Sequence, residues 1–248
     1  MDLIYYNGEH SVTFGEKNSW TDWHLIPSSK PVISPPSVKI KQVDIPGING
    51  IIDLSTVLTG YRTYSNRTGS LEFILAPGFG YWENVKTSVM EYLRGRRMTM
   101  KLADDPDHYY IGTFTVNGLK SDSRNNGITI GYDLYPFKKD VLASDENWLW
   151  DPFNFETGVI RNWSAITIDG ELVIEIEDCI EPVYPQITSD SSMTLQHTYF
   201  IGDEATERVK EYQISPGIFN DLMLRPGLNS LKFVGSGEIS IHYRGGRL

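Results

Sequence analysis

A mainly β chain, built as two β-rich domains with a single helix in the first, is the architecture these 248 residues predict. Three observations carry it. Short runs of alternating apolar and polar residues recur along the chain, separated by Gly, Pro and Asn-Gly turn chemistry. Aromatic residues make up 12% of the chain beside 22 glycines and 13 prolines, a balance that suits strands and turns. One segment, residues 81–94, switches the apolar spacing from two to the three and four of a helix.

Taken in order, alternation predicts strands at residues 11–14, 38–45, 70–75, 111–116 and 128–134. Asn117-Gly118 and Asn126-Gly127 read as turns, and 111–116 reads as the antiparallel partner of 128–133. In the helical segment Trp82, Val85, Val89 and Leu93 share one face, Glu83 sits in the first turn, Arg94 in the last, and Gly95 is the stop. Burying those four side chains contributes about 1.5–3 kcal/mol each, so the helix is expected to pack on a sheet. A strand ends at Pro136, and the polar residues 140–147 that follow place a domain boundary near Ser144, giving domains 1–144 and 145–248. Beyond it, residues 166–168, an Asp169-Gly170 turn and residues 172–177 read as a hairpin. Strands at 193–201, 231–234 and 238–243 complete a β-sandwich.

Charge is divided unevenly. Residues 1–144 hold 15 basic and 15 acidic side chains, residues 145–248 hold 7 and 17, and the formal net charge of -10 therefore resides in the second part. Identical subunits packed side by side repel when charged, so the neutral part suits a ring and the acidic part a wet periphery; the plainer reading is a well-solvated second domain. Either way, the acidity argues against a general grip on nucleic acid. Cys179 is the only cysteine, so no intrachain disulfide forms. The opening Met1-Asp-Leu-Ile-Tyr-Tyr-Asn-Gly8 lacks the basic and apolar blocks of a secretion signal, and folding in a reducing cytosol is expected. No apolar run approaches the ~18 residues that cross a bilayer.

Specific catalytic signatures are missing: no Gly-x-Ser-x-Gly elbow, P-loop, His-Glu-x-x-His or Cys-x-x-Cys occurs, and no cofactor is expected. Asp104-Asp-Pro-Asp-His108 gathers oxygen and imidazole ligands but lacks calcium-loop spacing, and an exposed turn is the favoured reading. Glu175 and Glu177 share one strand face and could serve glycoside hydrolysis, yet alternation on a wet face explains them better. His10, His24, His108, His197 and His242 show no ligand spacing. Trp148, Trp150 and Trp163, with Phe153 and Phe155, offer either a sugar-stacking platform or, as favoured here, packing.

The stretch Val43-Asp-Ile-Pro-Gly-Ile-Asn-Gly-Ile-Ile-Asp-Leu-Ser55 pairs an apolar strand with rigid turn chemistry and no reactive group. Followed by Gly60 and Tyr64-Ser-Asn-Arg-Thr-Gly-Ser-Leu-Glu-Phe73, it resembles the distal tail protein, Dit, of long-tailed siphophages, in its plain form without inserted carbohydrate-binding modules. Phe14-Gly15, the entry Pro36-Ser-Val-Lys-Ile-Lys-Gln-Val43 and the ending Gly235-Ser-Gly-Glu-Ile-Ser-Ile-His-Tyr-Arg-Gly-Gly-Arg-Leu248 are similar to the family as well. The resemblance implies a tail-tube-like first domain with one helix and a galectin-like or jelly-roll β-sandwich second domain. It implies no enzyme but a homohexameric ring at the virion tail tip, assembled in the host cytoplasm and joining the major tail tube protein to the tail-tip hub. The second domain would hold receptor-binding proteins or face the cell wall. Ile45, Pro46, Gly47, Ile48, Asn49, Gly50 and Asp53 are the expected ring contacts. Arg94, Arg96 and Arg97 are expected either to cap the helix or to line the ring's lumen. The alternative from another class is a carbohydrate-binding adhesin module sharing the sandwich.

Overall fold

A computed structural model describes residues 7–121, 126–146, 162–201 and 206–248. Short strands β1 (Val12–Phe14), β2 (Lys17–Asn18) and β3 (Leu25–Pro27) precede a two-residue pair, β4 (Gln42–Val43) and β5 (Ile52–Asp53). Next come β6 (Arg67–Leu75), the helix α1 (Trp82–Leu93), β7 (Arg97–Leu102), β8 (Asp105–Ser121) and β9 (Asn126–Leu134). The remaining strands are β10 (Lys138–Asp140), β11 (Ile166–Cys179), β12 (Gln186–Ser189), β13 (Met193–Ile201), β14 (Thr206–Ile214), β15 (Gly217–Phe219), β16 (Gly227–His242) and β17 (Gly246–Arg247). The fold is mainly β. Two compact units form, one from Met1–Ser37 and Tyr64–Lys138, the other from Val38–Thr63 and Lys139–Leu248. The division thus falls ahead of Ser144. That residue is fully buried in the second unit, where its hydroxyl donates to Ile241 O at 2.6 Å and accepts from Tyr243 N at 2.9 Å, so it is a core member and not a linker.

In the first unit seven strands pair antiparallel in the order β2, β1, β7, β8, β9, β6, β3. The expected pair is present, from Gly112 opposite Leu134 to Val116 opposite Ile130. Asn117-Gly118 is not a turn. β8 continues to Ser121 and its register slips between Val116 and Gly118, which makes Asn117 a bulge residue. Asn126-Gly127 likewise opens β9, opposite Ser121 and Lys120. Inward side chains Val12, Phe14, Phe73, Phe114, Ile128, Ile130 and Leu134 form the core, where Phe14 meets Phe114 edge-on at 5.1 Å. The helix lays Val89 and Leu93 on this core, with Trp82 and Val85 packed against it, the face the spacing predicts. Tyr92 fastens it further: its hydroxyl donates to Phe14 O at 2.9 Å and accepts from Glu16 N at 3.0 Å.

The second unit is organised by β16. β11 runs along one edge of it from Gly227 to Ile239, while the other edge pairs with β13 over residues 229–234 and with β12 over 239–242. The switch occurs at Gly235 and Gly237, both with positive φ (150° and 149°). A side chain at Gly237 would fall 2.0 Å from Ser191 Oγ, so only glycine admits the approach. The sheet, ordered β14, β13, β16, β12, β15, curls there and gives the unit its β-sandwich character. Leu231, Phe233, Ile239 and Ile241 keep one parity through the bend and share a core with Ile176, Ile187 and Leu195. Two expectations are corrected by this. The strands at 231–234 and 238–243 are one strand, and Asp169-Gly170 is no hairpin turn but a bend within β11, with Gly170 opposite Gly235.

Candidate functional site

The most unusual surface belongs to the arm, Val38–Thr63. Pairs Gln42 with Asp53 and Val43 with Ile52 close a loop over residues 44–51, in which Gly47 (φ 91°) and Gly50 (φ 86°) adopt left-handed backbone. Of the strand expected at 38–45, only Gln42–Val43 forms, because β5 offers two residues to pair with. Polar bonds hold the base. Asp53 accepts from Ser55 N at 2.8 Å and Arg62 Nη1 at 2.9 Å, and Ser55 Oγ accepts from Lys41 N at 2.8 Å. Hydrogen bonds from Ser55 first, then Arg62, hold the Asp53 carboxyl at about 2. Arg225 Nη1 donates to Thr59 O at 3.1 Å and ties the arm to the body of its unit.

Above that base the arm is apolar and bare. Ile45, Ile48, Ile51, Ile52, Leu54, Val57 and Leu58 are all exposed, Ile48 at 54%, Ile51 at 63% and Leu58 at 97%. So many exposed aliphatic side chains in one short segment make an unusually apolar surface. The expected contacts Ile45, Pro46, Gly47, Ile48, Asn49 and Gly50 lie together on the exposed loop, with Asp53 at its base in β5. Sequence reasoning missed how far the surface extends, to Ile40 on one side and to Val57 and Leu58 on the other. The aliphatic density of residues 38–58 was the available signal.

The three arginines after the helix have separate environments. Arg94 takes the left-handed conformation (φ 43°) as C-cap, and its N–H bonds Met90 O. Arg96 folds back so that Nε and Nη2 donate to Tyr92 O at 3.0 and 2.5 Å, with the guanidinium over the Tyr92 ring at 5.2 Å. It satisfies a helix-end carbonyl and complements the negative end of the helix. Arg97 opens β7 opposite Thr113 and is exposed. A shallow cleft of about 630 Å³ lies between Ser88, Tyr92, Arg94, Arg96 and Lys17.

The remaining candidates are placed apart. Asp105 is bonded by His108 Nδ1 at 2.6 Å and Lys138 Nζ at 2.5 Å, and Asp104 faces His10 Nδ1 at 2.7 Å. Among the described residues no group of three or more His, Cys, Asp or Glu is placed to hold a metal ion. Asp105 begins β8, so only Asp104 of the acidic run lies in the turn and residues 105–108 belong to the strand. Glu175 and Glu177 point from the exposed face of β11. Trp163 packs against the second core, 5.5 Å from Tyr243, while Trp148, Trp150, Phe153 and Phe155 lie outside the described residues. No described helix is long and apolar enough to cross a membrane.

No family model matches the sequence, and no curated protein matches it either. A solved structure does. The crystal structure of the Dit protein of phage SPP1, described as a paradigm of the hub adsorption apparatus in phages that infect Gram-positive bacteria, matches 96% of this chain and 99% of its own, with a TM-score of 0.56 and 12% identity. The likeness is one of fold, it spans both units, and the architecture described above is Dit-like.

Proposed function

We propose that this chain is a structural protein of a phage tail tip, a non-enzymatic tile that closes with copies of itself into a hexameric ring between the tail tube and the tail-tip hub. The observation that carries this reading is the fold likeness to the SPP1 Dit protein over 96% of the chain. The bare apolar arm supports it. A segment this rich in exposed aliphatic residues is costly to leave in water, and a neighbouring copy is the partner that a homomeric ring supplies at every position. The contact is heterologous: the arm of one subunit meets a different surface of the next, and six such contacts close on themselves. Ile45, Pro46, Gly47, Ile48, Asn49, Gly50 and Asp53 lie in this contact or at its base. Arg96 serves the helix end and not the lumen. The acidic residues 145–248 face solvent, and this part anchors receptor-binding proteins. The major tail tube protein and the hub dock on the first unit, and the assembled position is the virion tail tip.

Light scattering tests it. The purified chain is expected to give a mass near six times 28.2 kDa, and a mass of 28.2 kDa at every concentration, with and without the tube protein, removes the ring.

A further inference from the structure

A buried polar network stands behind the arm and serves neither core packing nor the proposed ring contact. His197 on β13 is 1% exposed. Its Nε2 lies 3.0 Å from Asn229 Oδ1. Asn229, fully buried, donates through Nδ2 to Arg225 O at 2.7 Å and Gly227 O at 2.9 Å, so its orientation is fixed and Oδ1 is the acceptor end. Oδ1 also accepts from Arg225 N at 2.8 Å. The imidazole proton therefore resides on Nε2. His197 Nδ1 is a bare lone pair, buried without a hydrogen-bond partner among the described residues.

Asn229 thereby closes the turn that presents Arg225, whose guanidinium lies over the Tyr199 ring at 4.9 Å and reaches Thr59 O. Thr59 and Gly60 form the base of the arm, and Gly60 packs so closely on Ile201 that an added Cβ would sit 3.0 Å from it. Protonating Nδ1 would bury a second N–H with nothing to accept it, and a positive charge between two others. The groups that face His197 are Arg225 on the turn, Lys210 directly opposite on β14, Asn229 on β16 and the Tyr199 ring at 4.8 Å on its own strand. Two of the four are cations. His10, His108 and His242, by contrast, each face an aspartate at 2.6–2.7 Å.

We propose that His197, Asn229 and Arg225 form a proton-sensitive latch on the base of the arm, closed while the imidazole is neutral and released by acid. Burial pushes the His197 imidazole below its ordinary 6.5, the Asn229 bond opposes this, and Arg225 and Lys210 add to the push. Opening lets the ring take its proton at the ordinary value. The latch is therefore at full strength above about pH 6.5 and weakens as pH falls toward the lower value of the closed state.

This inference rests on the arm's being a docking element, but its test reads release within a single chain. Hydrogen–deuterium exchange is followed at pH 7.5 and 5.0, corrected for intrinsic rates, on peptides covering residues 38–63 and, as control, β9. The arm is expected to lose protection at the lower pH, by at most the roughly thirtyfold that 1.5 pH units below the ordinary 6.5 allow, while β9 does not. His197→Gln keeps an N–H for Asn229 but does not titrate, and is expected to abolish the response. Arg225→Met is expected to free the arm at both pH values. Arm protection that ignores pH in the natural chain, or a response that persists in His197→Gln or on top of Arg225→Met, overturns the latch. Mass measured on the same samples separates the two ideas: a monomer with a responsive arm removes the ring and keeps the latch, and a ring with a silent arm does the reverse.

Discussion

Arg67 illustrates how much one buried charge can be asked to hold. It is buried at the start of β6, Nε donates to Pro136 O at 2.7 Å, Nη1 donates to Ser34 O at 3.3 Å, and the guanidinium lies 5.7 Å from the Tyr110 ring. Desolvation pushes its pKa down, yet a guanidinium remains charged at any working pH. Arg67→Met would strand both carbonyls and is expected to cost about 2–3 kcal/mol in urea unfolding; Arg67→Lys would not restore it, because one ammonium lacks the fork that reaches two acceptors. Asp105 makes a pH prediction. Burial pushes its carboxyl up, and the bonds from His108 and Lys138 more than reverse this, leaving it at about 2. Since the folded value is below the ordinary 3.8, the contribution is complete above about pH 4 and is lost as pH falls toward 2. Asp105→Asn should flatten the decline of melting temperature between those values; an unchanged acid limb would contradict the assignment. None of this was legible in the sequence, where Asp104-Asp-Pro-Asp-His108 reads as one loop, because Lys138 reaches Asp105 only through the fold.

The helix was the most legible element, since four apolar residues at helical spacing leave one solution for its buried face. Val89→Asp puts a carboxylate into a fully buried position and is expected to destabilise the first unit by more than about 3 kcal/mol, measured by urea unfolding. Strands whose alternation faces a core, such as β6 and β9, were legible for the same reason. Asn117-Gly118 and Asp169-Gly170 were misread because the backbone freedom that makes a turn also makes a bulge or a bend, and only the paired strand decides between them. The arm was half legible. Its turn residues announced themselves, but the exposure of Val57 and Leu58 follows from the lack of a covering element among the described residues of its unit. Ile48→Asp together with Leu58→Asp should leave the melting temperature within about 2 °C, because neither side chain is buried in the chain itself, while abolishing assembly in light scattering. A large loss of stability would show that the arm is packed in the isolated chain.

Two β units with unlike charge, one bare apolar arm and a Dit-like fold are the whole-molecule features on which the proposed ring rests. The charge division was legible by counting. The assignment of Val38–Thr63 to the second unit was not, because it depends on contacts such as Arg225 with Thr59, far apart in the chain. The proposed ring has a consequence that electron microscopy reads directly. Averaged images of the purified chain, alone and with the tail tube protein, are expected to show closed six-fold rings around a hollow axis; isolated single subunits in both samples would contradict the account.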